Sequence, residues 1–235
     1  MKLSIIIPVF NEKKTIIKVV GRVSKAIIPD FDKEIIIVDD GSTDGTVNEL
    51  KKIKEDFKII YHGKNQGKGA AVRTGIKKAT GDYIIIQDAD LEYNPEQIKL
   101  LTGKVVKENA KVVYGTRLNR MPHLNKEERR RSFILHYLGN RFLSLITSLL
   151  YGQWITDMET GYKLFPRKAL KNIKLNAKGF EFEPEVTSKL LKQGFDIKEV
   201  SITVMPRGYD EGKKINTVKD GIKAFWYLLK YRFVY

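Results

Sequence analysis

Five short runs dominated by isoleucine and valine punctuate the first half of the chain: "LSIIIPVF" at 3–10, "EIIIVDD" at 34–40, "FKIIYH" at 57–62, "YIIIQDAD" at 83–90 and "KVVYG" at 111–115. They are short and continuously apolar, which suits parallel strands buried on both faces. Helical spacing separates them. Ile16, Val19, Val20, Val23 and Ile27 recur on one face between 13 and about 28. "TVNELKKIKE" opens on Thr46-x-x-Glu49, a capping-box pattern. "GAAVRTGIKKA" follows glycines, and "PEQIKLLTGKVVKE" places Pro95 in its first turn. Alternation of this kind predicts a parallel sheet covered by helices. In such sheets ligands bind beyond the carboxyl ends of the strands. Polar residues collect there: Asn11 and Glu12, Asp39 and Asp40, Asp88 and Asp90.

Those acids are unexpected in a chain of 235 residues with 43 Lys+Arg against 28 Asp+Glu, a net charge of +15. So basic a protein predicts an anionic partner: nucleic acid, a phosphorylated substrate or an anionic membrane. A solvated basic surface accounts for part of the surplus. Carboxylates two apart, as in Asp88-Ala89-Asp90, repel unless a cation sits between them. Mg²⁺ or Mn²⁺, shared with substrate phosphates, fits such a pair. The bland alternative is a polar turn ahead of Pro95. There is no cysteine, and the three histidines have no metal-ligand spacing.

Two glycine-rich stretches also have two readings. In "KNQGKGAAVRTG", Gly67, Lys68 and Gly69 precede a helix and offer either a phosphate cradle or a flexible helix start. Three residues, not four, separate Gly63 from Gly67, and Gly69 follows Lys68, which disfavours a Walker loop; Val72 stands where a dinucleotide fingerprint needs Gly or Ala, which disfavours that fold too. "DDGSTDGT" reads as a tight turn and helix cap, which leaves its two leading acids unexplained.

The second half differs. A basic loop spans 117–131, "RLNRMPHLNKEERRR". A helix over 132–151 carries Ser132, His136, Asn140, Ser144 and Ser148 as a narrow polar stripe, with apolar residues around the rest. The end, "GIKAFWYLLKYRFVY", mixes aromatics with Lys223, Lys230 and Arg232. Each is either a core helix or one lying in a membrane interface. The flanking basic charge favours the interface, with self-association as the competitor. No apolar run is long enough to span a bilayer, and the amino-terminal run reads as a strand, not a signal peptide.

Taken together, "IIIPVFNE", "IVDDGSTDGT", "NQGKGAAVRTG" and "QDADLEYNP" resemble, in order and spacing, the family 2 glycosyltransferases of GT-A fold. "YGTRL", "TDMETGYKLFPRKAL" and "GFEFEPEV" resemble the polyprenyl-phosphate branch, the dolichyl-phosphate glucose and mannose synthases. The resemblance covers about residues 3 to 215. It implies an α/β fold, a GT-A Rossmann-like, mostly parallel sheet covered by helices, with a C-terminal amphipathic helical appendage. Within one domain of 1–235 it implies a nucleotide-sugar half at 1–116, an acceptor half at 117–215 and possible interface helices at 132–151 and 217–235. Pro8, Val9, Glu12 and Asp39 would line the base and ribose pocket, with Lys68 nearby. Asp88, Ala89 and Asp90 would meet the diphosphate, and Asp88 and Asp90 would bind the metal. Glu92 stands where mannose synthases often carry Gln and is a candidate third ligand.

The expected reaction is inverting, metal-dependent transfer of a hexose from a nucleotide sugar to a polyprenyl or dolichyl phosphate. "TDMETGYKLF" is nearer the glucose-type motif, although Met158 and Glu159 depart from Thr-Gln, so UDP-glucose is favoured over GDP-mannose. A phosphate acceptor is mostly dianionic at neutral pH and needs positioning by cations, not a strong base. Arg117, Arg131, Arg207 and Lys213 are the candidates for that task. Asp90, Asp157, Arg117 and Arg207 form the expected catalytic set, with Asp157 orienting acceptor or sugar. The expected location is the cytoplasmic face of a membrane, peripheral or monotopic, with homo-oligomers possible and no nucleic-acid partner. Two alternatives remain: a transferase acting on a sugar or glycan hydroxyl, which would need Asp157 or Glu159 as base, and a basic nucleic-acid-binding protein.

Overall fold

A computed structural model of the chain describes residues 1–54, 57–118, 131–205 and 217–234. Seven strands form one sheet: β1 (Lys2–Val9), β2 (Asp32–Asp39), β3 (Lys58–Tyr61), β4 (Tyr83–Ile86), β5 (Val112–Thr116), β6 (Lys163–Pro166) and β7 (Ile197–Ser201). Their order across the sheet is β3-β2-β1-β4-β6-β5-β7. β1 pairs in parallel with β2 and β4, and β2 with β3. β6 runs antiparallel between β4 and β5, and β7 pairs in parallel with β5. The five apolar runs are therefore strands. β6 and β7 carry no comparable run, because "YKLFP" and "DIKEVS" are short and interrupted by charge.

Successive side chains of a strand face opposite ways, so β1 feeds two cores. Ile5 and Ile7 pack with Val19, Val20 and Leu101 on one face. Ile6 packs with Ile36, Val72, Phe182 and Leu228 on the other. The helices are α1 (Ile16–Lys25), α2 (Thr46–Leu50), α3 (Lys68–Lys78), α4 (Ile98–Glu108), α5 (Arg131–Tyr151), α6 (Phe182–Lys192) and α7 (Thr217–Phe233). α2 ends at Leu50, well short of the stretch its spacing suggests, and the capping box is not formed. Gly45 is the N-cap, and the Thr46 hydroxyl instead contacts Asp44 Oδ1 and accepts from the backbone N–H of Glu12. Pro95 opens a 3-10 turn that runs into α4.

The helix expected at 132–151 is α5, but its sidedness reverses the usual pattern. Asn140, Ser144 and Ser148 are buried, whereas Leu138, Phe142, Leu145 and Leu149 are exposed, Leu149 by 72%. The reason is a loop with unmet backbone donors. Ser148 Oγ accepts from the N–H of Ile155, and Ser144 Oγ accepts from that of Met158, both at 2.9 Å. The same hydroxyls donate to the carbonyls one turn back, at Asn140 and Ser144. α7 likewise buries Ala224, Leu228 and Tyr231 and exposes Ile222, Trp226 and Phe233. Among the described residues no helix is long and apolar enough to cross a membrane.

Candidate active site

The carboxyl ends of β1, β2, β4 and β5 open into a cavity of about 710 Å³. Pro8, Val9 and Glu12 border it after β1, Lys68 from the first turn of α3, Asp88, Ala89, Asp90 and Glu92 after β4, and Arg117 after β5. Of the expected nucleotide-sugar residues only Asp39 is absent from this wall. It lines a neighbouring cavity of about 400 Å³ with Ser42, Tyr61 and His62. Asp39 Oδ2 accepts from the N–H of Ser42, while Oδ1 is buried without a hydrogen-bond partner. Such an orphan acceptor costs free energy unless a ligand supplies the donor.

The glycine-rich loop does not cradle an anion with the amides of Gln66 and Gly67. Both already bind the protein's own Asp40, Gly67 N–H to Oδ2 at 2.7 Å, and His62 Nδ1 holds Oδ1 at 2.6 Å. Gly67 has φ +97°, and a Cβ there would lie 2.3 Å from the Lys178 carbonyl oxygen, so only glycine fits. Asp40 thus fixes the loop that starts α3. Lys68 Nζ in turn lies 2.7 Å from Asp88 Oδ1 and 3.6 Å from Glu183 Oε1. Burial alone would favour its neutral amine, but Asp88 and Glu183 outweigh that and keep it charged.

Asp88 and Asp90 follow β4 and bend outward, with Leu91 at φ +67° and the N–H of Glu92 donating to Asp90 Oδ1. These oxygen-only donors suit a hard divalent cation. Among the described residues no group of three or more acids or histidines is gathered for a metal. Glu92, the candidate third ligand, borders the cavity beside Asp88 and Asp90.

Arg117 and Asp157 form a closed pair. Arg117 Nε donates to Asp157 Oδ2 at 2.7 Å and Nη2 to Oδ1 at 2.8 Å, while the Arg117 N–H reaches Oδ2 at 2.9 Å. Asp157 is fully buried and does not border the cavity; Arg117 does. Burial would raise the Asp157 carboxyl, but the guanidinium holds it below the usual carboxylate range. Asp157 was expected to orient acceptor or sugar; here both its oxygens accept hydrogen bonds from Arg117, and it stands behind that residue, off the cavity wall. Arg131 is the first residue of α5, but its side chain lies outside the described part, as do Arg207 and Lys213 entirely.

Sequence reasoning missed a second charged layer. Lys163 in β6 is fully buried, with Nζ bonded to the carbonyls of Met158 and Thr160 and 2.7 Å from Glu183 Oε2. Glu183 lies in the first turn of α6 as one of three glutamates that alternate through "FEFEPEV", so nothing in the stretch singled it out. Glu159 also borders the cavity. Its Oε1 is shut from solvent and accepts no hydrogen bond, and burial pushes the carboxyl up to about 7, with Lys163 opposing and Glu183 reinforcing.

The far side of the same cavity is apolar. Gly139, Phe142 and Leu143 of α5 face Ile222, Ala224 and Phe225 of α7, with Asn140 and Asp220 as polar exceptions. The Phe142 and Phe225 rings stand 6.2 Å apart.

A sheet of this order, with acids after β4, a guanidinium after β5 and one cavity across them, has the GT-A, Rossmann-like architecture of a glycosyltransferase. The family model for glycosyl transferase family 2 matches residues 4–174, and the chain belongs to that family, a nucleotide-sugar-dependent glycosyltransferase. Over 96% of its length it is 32% identical to the UDP-N-acetylglucosamine–dolichyl-phosphate N-acetylglucosaminyltransferase of Methanococcus voltae, covering 94% of that protein. It is 31% identical to an uncharacterized protein of Methanocaldococcus jannaschii, over 96% of this chain and 90% of the other. Among solved structures it is similar to the glucosyl-3-phosphoglycerate synthase of Mycobacterium tuberculosis, with TM-score 0.73 and 22% identity over 100% of this chain and 82% of that one. The same enzyme in complex with Mn²⁺, UDP and glucosyl-3-phosphoglycerate matches with TM-score 0.70 and 20% identity, over 98% and 79% of the two chains.

Proposed function

We propose that the protein transfers a hexose from a UDP-sugar to a polyprenyl phosphate at a membrane surface, with inversion at the anomeric carbon. The observation that carries this reading is the two-ended cavity. Acids and Lys68 line one end, Arg117 stands between, and an apolar arm between α5 and α7 forms the other. A soluble acceptor has no use for that arm, whereas a lipid chain does.

The nucleotide end supports a UDP donor. Asp39 Oδ1 lacks a donor, and a base with a ring N–H, uracil or guanine, supplies one; the choice of uracil follows from the relatives. The relative in M. voltae is named for a UDP-sugar donor and a dolichyl-phosphate acceptor, and the M. tuberculosis neighbour is solved with UDP and Mn²⁺ or Mg²⁺. UDP-glucose is the first donor to test and UDP-N-acetylglucosamine the second. A Mg²⁺ or Mn²⁺ ion held by Asp88 and Asp90 would supply Lewis-acid stabilisation of the leaving diphosphate.

The chain's own residues do the rest. Arg117, held in orientation by Asp157, offers its remaining N–H groups to the acceptor phosphate. The phosphate dianion needs no strong base. One of its oxygens forms the bond to the anomeric carbon as the bond from that carbon to UDP breaks, and UDP leaves with the electron pair. The exposed leucines of α5 and aromatics of α7, flanked by Arg141, Lys223 and Lys230, would rest on the anionic membrane from which the acceptor enters.

The test is transfer of labelled hexose from UDP-glucose and UDP-N-acetylglucosamine into organic-extractable lipid. Label should enter polyprenyl phosphate only with Mg²⁺ or Mn²⁺, and Asp90→Ala should lower the rate by roughly a hundredfold or more. Transfer to a water-soluble acceptor alone, with none to lipid, would sink the reading.

A further inference from the structure

One loop carries three consecutive tasks at alternate positions. Asp157 anchors Arg117. Gly161 packs against the metal-side acid, since a Cβ there would lie 2.8 Å from Asp88 Oδ2. Glu159 stands between them and borders the cavity. Arg117 marks the acceptor phosphate and Asp88 the donor diphosphate. The sugar that passes from one to the other crosses the cavity that Glu159 also lines.

The other cavity acids have partners or assigned tasks. Asp40 is consumed by the α3 loop, and Asp88 meets Lys68. Glu12 accepts from the Thr15 hydroxyl, and Glu183 meets Lys163 and Lys68. Glu183 Oε1 and Oε2 are also buried without a hydrogen bond, but each faces a lysine; Glu159 Oε1 is the oxygen among these with neither a hydrogen bond nor an ion pair. Lys163 does not quench it, because its Nζ bonds the carbonyls of Met158 and Thr160 and pairs with Glu183. A buried acceptor left open on a cavity wall is completed by a donor from the ligand.

We propose that Glu159 is a specificity-determining residue that accepts a hydrogen bond from a hydroxyl or amide N–H on the ring of the donor hexose. This rests on the nucleotide-sugar reading above and adds a restriction to it. The residue selects neutral sugars, hexoses or N-acetylhexosamines, because it requires a donor group. It rejects uronic acids, whose carboxylate would face Glu159 and Glu183 together.

The experiment compares UDP with UDP-sugars, so that base and diphosphate contacts cancel. In wild-type protein, one of the monodeoxy analogues of the accepted UDP-hexose should show kcat/KM reduced roughly tenfold, the loss expected of one buried hydrogen bond. In Glu159→Ala the parent donor should fall by a similar factor, and that same deoxy analogue should then be used as well as the parent. Affinity for UDP with Mn²⁺, measured by calorimetry, should stay within twofold. In Glu159→Gln, UDP-glucuronate should become a better substrate relative to the parent donor.

Equal use of every deoxy analogue by wild-type protein would overturn the proposal, and this needs no variant to fold. So would an equal loss of UDP and UDP-sugar binding in Glu159→Ala, which marks a purely structural role. If wild-type protein binds neither UDP nor any UDP-sugar, the functional reading itself fails, and this inference with it. If it binds them without discrimination at Glu159, only this inference fails.

Discussion

β2 carries an acid near each end, and the two are treated oppositely. Glu34, near the start of the strand, is fully served. Its carboxylate accepts from the Ser4 hydroxyl, Lys58 Nζ, and the N–H and hydroxyl of Thr80. Asp39, at the far end, keeps Oδ1 buried and unserved. Same strand, same residue class, similar burial: the difference is whether the protein completes its own hydrogen bonding. The amino edge of the sheet is closed and serves stability. The carboxyl edge is left incomplete at Asp39 and Glu159, and a ligand completes it. The contrast extends to apolar groups, since β1 buries its isoleucines while α5 turns its leucines outward.

The sharpest challenge comes from a closed pair at the open edge. Arg117 and Asp157 satisfy each other, so removing Arg117 should be a stability event as well as a catalytic one. Arg117→Ala leaves a fully buried carboxylate uncompensated and should lower unfolding free energy by about 3–5 kcal/mol in urea titration. Adding Asp157→Asn should restore most of that stability while transfer stays lost. If Arg117→Ala leaves the urea midpoint unchanged, the pair is not structural, and the division between closed and open groups breaks there.

The outward leucines test the apolar side. Leu145→Glu removes an exposed apolar side chain and adds a charge that anionic lipid repels. Burying a leucine is worth about 1.5–3 kcal/mol and a charge near such a surface about 1 kcal/mol, so sedimentation with anionic vesicles should fall at least tenfold. Folding should be unaffected, because the position is exposed. If the protein is instead a dimer that Leu145→Glu splits, with vesicle binding unchanged, α5 meets another chain and not a membrane.

At the open end of β2, Asp39→Asn places an N–H where a ligand's donor should arrive. Affinity for UDP should fall roughly 10- to 100-fold by calorimetry, with stability altered by less than about 1 kcal/mol. Loss of stability without loss of nucleotide affinity would make Asp39 another Glu34.

How far these roles were legible before the structure differs by kind. The strands and their acidic ends were readable because continuous β-branched runs leave few other folds. Asp88, Asp90, Lys68 and Arg117 border the cavity as expected because position after a strand fixes where a short side chain goes. What pairs with what was not readable. That Asp40 fills the glycine loop depends on contacts across 26 residues, and Asp157 meets Arg117 across 40. β6 escaped notice because its lysine, Lys163, is buried among acids contributed by distant elements. The polar stripe of α5 was correctly periodic, but periodicity does not say which face is inside. A loop needing hydroxyls at Ile155 and Met158 decided it.

Glu34 gives the smallest and cleanest test of the closed edge. Burial would raise its carboxyl, but hydrogen bonds from Lys58, Ser4 and Thr80 hold it well below the ordinary glutamate value. A carboxyl lowered in the folded state binds its proton less readily than in the unfolded chain, so it stabilises the fold above the unfolded pKa of about 4.3 and loses that contribution as pH falls. Glu34→Gln should therefore cost about 1–2 kcal/mol at pH 7, and the gap to wild type should narrow steadily below about pH 5. Affinity for UDP at pH 7 should be unchanged, since Glu34 lies at the opposite end of β2 from the cavity. A gap that stayed constant with pH would mean the carboxylate charge does no stabilising there, and the closed edge would rest on packing alone.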